Sequence, residues 1–290
     1  MCLIAFAINA CASRPFVLAS NRDEFLDRPT LPLARWKTAS GQEIISGRDM
    51  REGGTWLGVT PNGRVAFLTN VRESKRVGIS LSRGQLVIRW LEGGGTATDF
   101  FTALEMSEEP YNGFNLVLGD IGQSAWTWLT NRSTATSSGW QAQMLPAGVY
   151  GMSNASLDTP WSKTVELKHA LTAALMRTGN IIEIHEQLFL ALTSQVRIAP
   201  VEKWPAGDFQ ELQLDVDVNA KVDLELGLSG AFADIPEKAY GTRSSTVVVF
   251  SKYTSLRSIW PYRVELWERT YTREVIGQPS ASFLTNMLSL

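Results

Sequence analysis

Residues 3–8 limit the possible folds of this chain more than any other stretch. They are Leu, Ile, Ala and Phe, so both alternating faces of the segment are apolar. That pattern is typical of a central strand covered on both sides, because a strand with one wet face alternates apolar and polar residues. We therefore expect a layered fold around this strand.

The rest of the chain predicts many short strands and two pairs of helices. A return strand follows the turn at 12–15, and Asn62-Gly63 is a strong hairpin signal. Further strands are predicted at 16–20, 43–46, 55–59, 64–69, 114–118, 125–129, 140–145, 148–152, 245–250 and 263–269. Helices are predicted at 82–91, at 98–106, from Thr159-Pro160 to Gly179, and from Asn180 to about Leu192. Without a repeat or a linker, this order favours one α+β domain over residues 1–290, built in layers.

Residues 198–238 differ from the remainder of the chain. They are rich in Asp and Glu, and before Lys238 they contain only two lysines, Lys203 and Lys221. They show no convincing period, so we interpret them as a long acidic, exposed excursion and a candidate lid.

Composition excludes several classes of function. The 27 Lys and Arg nearly balance the 29 Asp and Glu, which removes the electrostatic argument for a nucleic-acid or anionic-membrane partner. No apolar run approaches the ~20 residues of a membrane span. Two cysteines and a first segment without a positive n-region suggest a cytoplasmic or organellar protein. Two histidines leave little for a metal site or a Ser-His-Asp triad, so we expect no metal and no cofactor.

Cys2 is the most informative position. If the initiator methionine is removed, Cys2 carries a thiol and a free α-amine, whose reference pKa values are ~8.5 and ~7.7–8.0. One residue would then supply a nucleophile and a general base without histidine. If Met1 is retained, its peptide bond removes that base. The alternative is a small buried residue that opens a core strand.

Six motifs, spread from residue 1 to about 250, carry a resemblance to a known family. They are MCLIAF at 1–6, NRDEF at 21–25, GGTWLG at 53–58, FLTNVR at 67–72, GMSN at 151–154 with LDTPW at 157–161, and YGTRSST at 240–246. The chain thereby resembles the NRDE family, the transport-and-Golgi-organisation-2-like proteins. That family looks like a distant branch of the N-terminal-nucleophile hydrolases, closest to cholylglycine hydrolases and penicillin V acylases. The resemblance implies a four-layer αββα sandwich of two antiparallel sheets.

The resemblance also implies catalytic roles. Asp23 matches the acid that holds the terminal amine. Asn154 matches the residue whose side-chain amide stabilises the oxyanion, and Asn70 matches the residue that donates a backbone N–H to it. The alternatives are a surface acid in a turn for Asp23 and turn asparagines for the other two.

Three further residues are candidates for substrate binding. Arg22 is adjacent to Asp23, whereas the hydrolase pattern has an arginine three residues before the acid, where this chain has Ser20. Period-two alternation places Arg22 on the face opposite Asp23 unless the strand bulges, so it acts either at the thiolate or in a structural ion pair. Arg243 could lower the thiol pKa or bind a substrate carboxylate. Trp56 lies either against the substrate or in the core.

Two functions remain open from the sequence. The first is hydrolysis of a linear amide bond, or acyl transfer, through Cys2. The second is a non-catalytic binding or trafficking protein on the same fold, which handles haem or acyl-lipid and CoA-related molecules, because the family is associated with both. The expected partner is a small amide, acyl or haem-like ligand.

Overall fold

The structure, a computed structural model, describes residues 2–73, 78, 80–177, 180–196, 227–252, 262–272 and 282–289. Fourteen strands and four α-helices have assigned bounds within these ranges. The strands are β1 Cys2–Cys11, β2 Arg14–Phe25, β3 Thr30–Lys37, β4 Glu43–Asp49, β5 Leu57–Val59, β6 Arg64–Asn70, β7 Phe114–Asp120, β8 Ala125–Thr130, β9 Gln141–Met144, β10 Gly148–Met152, β11 Asp234–Ile235, β12 Tyr240–Lys252, β13 Tyr262–Thr272 and β14 Ser282–Ser289. The helices are α1 Gly84–Glu92, α2 Ala97–Met106, α3 Ser162–Met176 and α4 Ile181–Leu192.

The strands form two sheets of seven within the described residues. Sheet A has the order β10-β1-β2-β12-β13-β14, with β11 paired to β12, and sheet B runs from β3 to β9 in chain order. Every strand pair in both sheets is antiparallel. The predicted class, α+β with two antiparallel sheets and helices, is confirmed.

The core is divided into layers. Side chains of both sheets, among them Phe6, Phe16 and Phe67, pack into one cluster between the sheets. Residues of α3 and α4 pack on the other face of sheet A, and those of α1 and α2 pack on the outer face of sheet B. The resulting order is helix pair, sheet A, sheet B, helix pair.

Strand β1 is buried on both faces, as its composition predicts. Ile4, Phe6 and Ile8 point into the cluster between the sheets, whereas Leu3 and Ala5 pack toward α3 and α4. This alternation fixes which face of sheet A each residue of β1 and of its neighbour β2 reaches.

Some predictions fail for local reasons. β3 was not expected, because it is an edge strand of which only Leu33 is buried; β14 was not expected either. The interpretation of 198–238 as an exposed excursion is wrong where it can be judged: Leu228, Ala233 and Ile235 are buried in a cluster with Tyr240. Residues 198–226, and with them the candidate lid, lie outside the described residues.

Two further comparisons concern the helices. α3 begins at Ser162, with Trp161 at its N-cap position, because the Thr159 hydroxyl donates instead to the carbonyl of Ser156. In the described part of the chain, no helix is both long enough and apolar enough to cross a bilayer.

Candidate functional site

A cleft of about 260 Å3 lies where β1 begins and where β2 and β6 end. Five of the seven residues selected from the sequence line it: Cys2, Arg22, Asp23, Trp56 and Asn70. They come from both sheets, so the fold brings together motifs separated by up to 68 positions of sequence (70 minus 2).

Cys2 is the first residue of β1 and is 8% exposed. Burial raises the pKa of its thiol above the ordinary value, and the charge of Asp23 acts in the same direction, whereas Arg22 opposes the shift. Hydrogen bonding by the backbone of Asp23 also acts to lower the pKa of the thiol, which favours the thiolate. Because burial is the largest of these effects, the thiol needs a base to ionise near neutral pH.

Asp23 lies one position beyond Arg22 on β2, next to the amino end of β1. The Thr242 hydroxyl donates to its carboxylate at 2.7 Å, and the Tyr240 hydroxyl donates to its backbone carbonyl at 2.9 Å. Burial raises the pKa of the carboxyl group, and the charge of Lys163 opposes that rise. This placement suits a carboxylate that binds a cation at the start of β1.

Arg22 is directly opposite Cys2 in the antiparallel pairing of β1 and β2. Its guanidinium carbon lies 4.2 Å from the ring centre of Trp56. Its Nη2 is 3.8 Å from a carboxylate oxygen of Glu24. β2 follows the expected alternation, so Arg22 shares the face of Cys2, between the sheets, and Asp23 takes the other face.

The sequence left open a bulge near Arg22, and the structure has a bulge in the neighbouring strand β12 instead of in β2. β12 bulges between Thr242 and Ser244, so Arg243 is the extra residue. Its Nη1 donates to the carbonyls of Phe25 and Arg28 at 2.8 and 3.1 Å, and also to that of Leu26. Burial lowers the pKa of Arg243, and the charge of Arg22 adds to the effect. The structure places Arg243 behind the turn after β2 and not in the lining of the cleft.

The two asparagines selected from the sequence contact each other. The side-chain amide of Asn154 donates to the backbone carbonyl of Asn70 at 2.9 Å, and the Asn154 carbonyl accepts from the N–H of Arg72 at 2.8 Å. Asn154 is 1% exposed and does not line the cleft. Its amide therefore fixes the strand end that Asn70 occupies, and a role at the oxyanion stays a prediction for both residues.

Asn115 is a residue that the sequence reasoning missed. Its side-chain amide donates to the carbonyl of Ala155 at 2.6 Å, and its side-chain oxygen accepts from the Trp128 indole at 3.2 Å. Asn115 thus anchors the loop after β10 to sheet B. The available signal was a polar residue inside the otherwise apolar run 114–118.

Five of the twelve remaining lining residues are charged, namely Glu24, Arg28, Asp49, Glu52 and Arg83. Arg28 binds Asp49 through two hydrogen bonds, of 3.1 and 2.6 Å, and lies 3.8 Å from Glu24. The hydrogen bonds and charge of Arg28 lower the pKa of Asp49 despite its partial burial. Within the described residues, no group of three or more His, Cys, Asp and Glu side chains could hold a metal ion.

Comparison with known proteins agrees with this geometry. Residues 1–273 match the model of the family described as Transport and Golgi organisation 2. This chain belongs to that family. A homologue from Bos taurus, named Transport and Golgi organization protein 2 homolog, is 33% identical over 264 residues, which cover 86% of this chain and 88% of the homologue. The Drosophila melanogaster protein is 25% identical over 279 residues, covering 89% and 91%. The family resemblance of the six motifs is thus confirmed.

A solved structure confirms the fold of this family member. The C2A mutant of conjugated bile acid hydrolase from Clostridium perfringens superposes with a TM-score of 0.53 and 8% identity, covering 99% of this chain and 92% of the hydrolase chain. At that identity the likeness concerns the fold alone. This chain therefore shares its arrangement of two antiparallel sheets with helices with that hydrolase.

Proposed function

We propose that this protein is a hydrolase of linear amide bonds, or an acyl transferase, with Cys2 as its nucleophile. The observation that supports it most is the position of Cys2, which lines a cleft at the start of β1, directly opposite Arg22 and beside Asp23. Arg22 on the same face and the Asp23 carboxylate beside the strand start supply the charges that such chemistry needs.

The reaction needs the α-amine of Cys2, and hence removal of Met1. The amine takes the thiol proton, and the thiolate attacks the amide carbon, so that a C–S bond forms and the carbonyl oxygen becomes an oxyanion. When this intermediate collapses, the C–N bond breaks and the ammonium gives its proton to the leaving nitrogen. The same amine then removes a proton from water, which attacks the thioester and releases a carboxylic acid and the thiol. Asp23 would bind and orient the ammonium.

The lining of the cleft favours a polar substrate over haem. Seven charged side chains line it, namely Arg22, Asp23, Glu24, Arg28, Asp49, Glu52 and Arg83. Among the described residues of its lining, the large apolar side chains are Trp56, Leu68 and Leu81. Haem needs a broad apolar surface for its ring, and neither His169 nor His185 lines this cleft. His185 instead stacks on Trp267 with ring centres 4.6 Å apart.

The test compares two preparations released from a cleavable fusion. In one the first residue is Cys2, and in the other a single glycine precedes Cys2. p-Nitrophenyl acetate is the probe, because it acylates a thiolate and releases coloured p-nitrophenolate. We expect a stoichiometric burst and an acetylated Cys2 peptide only in the first preparation.

Two variants control the assay. Cys2→Ala should abolish the burst, whereas Cys11→Ser should retain it, because Cys11 ends the same strand far from the cleft. Equal acylation of Cys2 with and without the glycine would refute the mechanism. Haem binding that survives Cys2→Ala, without any burst in the parent, would favour the trafficking alternative.

A further inference from the structure

Arg22 presents a hydrogen-bond donor on the same face as the Cys2 thiol. The two residues are directly paired in β1 and β2. Directly opposed residues in antiparallel strands have Cβ atoms about 4.5–5.5 Å apart. A carbonyl carbon bonded to the Cys2 sulfur would therefore bring its oxygen within reach of a long side chain at position 22.

The guanidinium is held in one orientation. It stacks on Trp56 at 4.2 Å, and Glu24 approaches its Nη2 at 3.8 Å. Arg22 is 5% exposed, and its Nη1 is buried without a hydrogen-bond acceptor among the described residues. A buried donor without an acceptor costs about 1–3 kcal/mol, and more when it is charged. That donor is thus oriented in advance for an oxygen that arrives with a ligand.

One of the two donors that the resemblance implies, the Asn154 side-chain amide, is otherwise engaged. The Asn154 amide donates to the carbonyl of Asn70, and Asn154 does not line the cleft. Arg28, another cation of the lining, is neutralised by its two hydrogen bonds to Asp49. Arg83, a third cation of the lining, donates to the carbonyl of Gly113. Among the described residues, Arg22 Nη1 is a buried charged donor without an acceptor, on a side chain that shares the face of Cys2.

We propose that Arg22 Nη1 is the oxyanion donor of the Cys2 reaction, an inference that rests on the proposed function. As the C–S bond forms, the π electrons of the carbonyl move onto oxygen, and Arg22 donates a hydrogen bond to the developing charge. When the C–N bond breaks, the electron pair returns to the carbonyl. Arg22 stays protonated throughout, because its guanidinium does not release a proton near neutral pH.

Two probes of different chemistry separate this role from a structural one. Acylation by p-nitrophenyl acetate passes through an oxyanion, whereas alkylation by iodoacetamide is a direct displacement at carbon that forms none. Both rates are measured at Cys2 by peptide mass spectrometry across pH 6–10, in the preparation that begins with Cys2. For Arg22→Gln we expect acylation to fall by about 10²–10³-fold, the usual cost of losing one oxyanion donor, while alkylation changes by only a few-fold.

Matched variants keep the test decisive. Arg64→Gln removes a guanidinium stacked on Trp90 at 4.0 Å in the outer layer of sheet B, away from the cleft, and should leave the ratio of the two rates unchanged. Arg22→Lys keeps the charge but not the stacked fork, and should give an intermediate ratio; it also replaces Arg22→Gln as the test if that variant does not fold.

The outcomes distinguish the two proposals. If acylation and alkylation fall together in the Arg22 variants, or if neither changes, Arg22 is not the oxyanion donor even though the parent is acylated. If the parent itself shows no acylation of Cys2, the proposed function fails first. A lowered ratio that Arg22→Lys partly restores supports the assignment.

Discussion

Replacing Gly47 with alanine perturbs the site through the Trp56 indole and changes no charged group. Gly47 is buried in β4, and a Cβ built on it would lie 2.5 Å from Cη2 and 2.6 Å from Cζ2 of Trp56. Carbon atoms in contact are normally about 3.5–4.0 Å apart, so the indole would have to move by about 1 Å. Forced overpacking of this kind typically costs about 1–3 kcal/mol of unfolding free energy.

The displacement of the Trp56 indole should also lower the reactivity of the Cys2 thiol toward acylation. Trp56 forms the surface on which the Arg22 guanidinium lies, so a shifted indole misplaces the proposed donor. A misplacement of about 1 Å can lower a rate by about 10²-fold. We therefore expect Gly47→Ala to lose both stability and acylation of Cys2, although position 47 does not line the cleft.

Urea unfolding and the p-nitrophenyl acetate burst measure the two effects. Gly94→Ala is the matched control, because a Cβ there meets nothing within 4 Å. Trp56→Phe removes the two clashing ring atoms, so the double variant should recover part of the stability, with a coupling energy of about 0.5–3 kcal/mol. The reasoning is refuted if Gly47→Ala unfolds at the same urea concentration as the parent, or if the two substitutions are simply additive.

Two further predictions concern the thiols and the turn behind the cleft. In the preparation with a glycine before Cys2, iodoacetamide at pH 8 should modify Cys11 before Cys2. Hydrogen bonding to Ser13 lowers the pKa of Cys11 despite its partial burial, whereas burial raises the pKa of Cys2. Cys2 should therefore gain reactivity only above about pH 8.5. Peptide mapping at several pH values checks this order, and earlier modification of Cys2 would contradict it. Arg243→Gln should destabilise the fold by about 1.5–3 kcal/mol, because a charged donor to three carbonyls is lost. Hydrogen exchange should then accelerate at residues 25–28, and unchanged exchange there would show that Arg243 does not hold this turn.

Much of the fold could be predicted because its signals are local. The double-sided apolar pattern of β1 and the Asn62-Gly63 turn depend on neighbouring residues only. β3 lacked such a signal, since its burial pattern leaves one residue of eight buried. The packing of Leu228 and Ile235 against Tyr240 also has no local signal, because the partner is provided by another strand.

In the candidate site, too, features set by local sequence could be predicted, whereas contacts between distant segments could not. Alternation along β2 predicts that Arg22 and Asp23 point to opposite faces, and the structure has them so. It could not predict that Trp56, just before a strand of the other sheet, would receive the guanidinium. Nor could it predict that the Asn154 amide would bind the carbonyl of Asn70, since that contact depends on how the ends of β6 and β10 meet.

The tetrapeptide 21–24 can now be explained residue by residue. Asn21 and Asp23 take the helix side of sheet A, where the Asn21 amide binds the carbonyl of Leu192 at the end of α4 and that of Ala231. Arg22 and Glu24 take the side between the sheets, where the guanidinium meets the indole of Trp56. One strand thus ties sheet A to its helices through its odd positions and to sheet B through its even positions, at the point where β1 begins. The geometry around Cys2 therefore depends on both packing interfaces of sheet A, which is why a substitution as remote as Gly47→Ala should alter the chemistry.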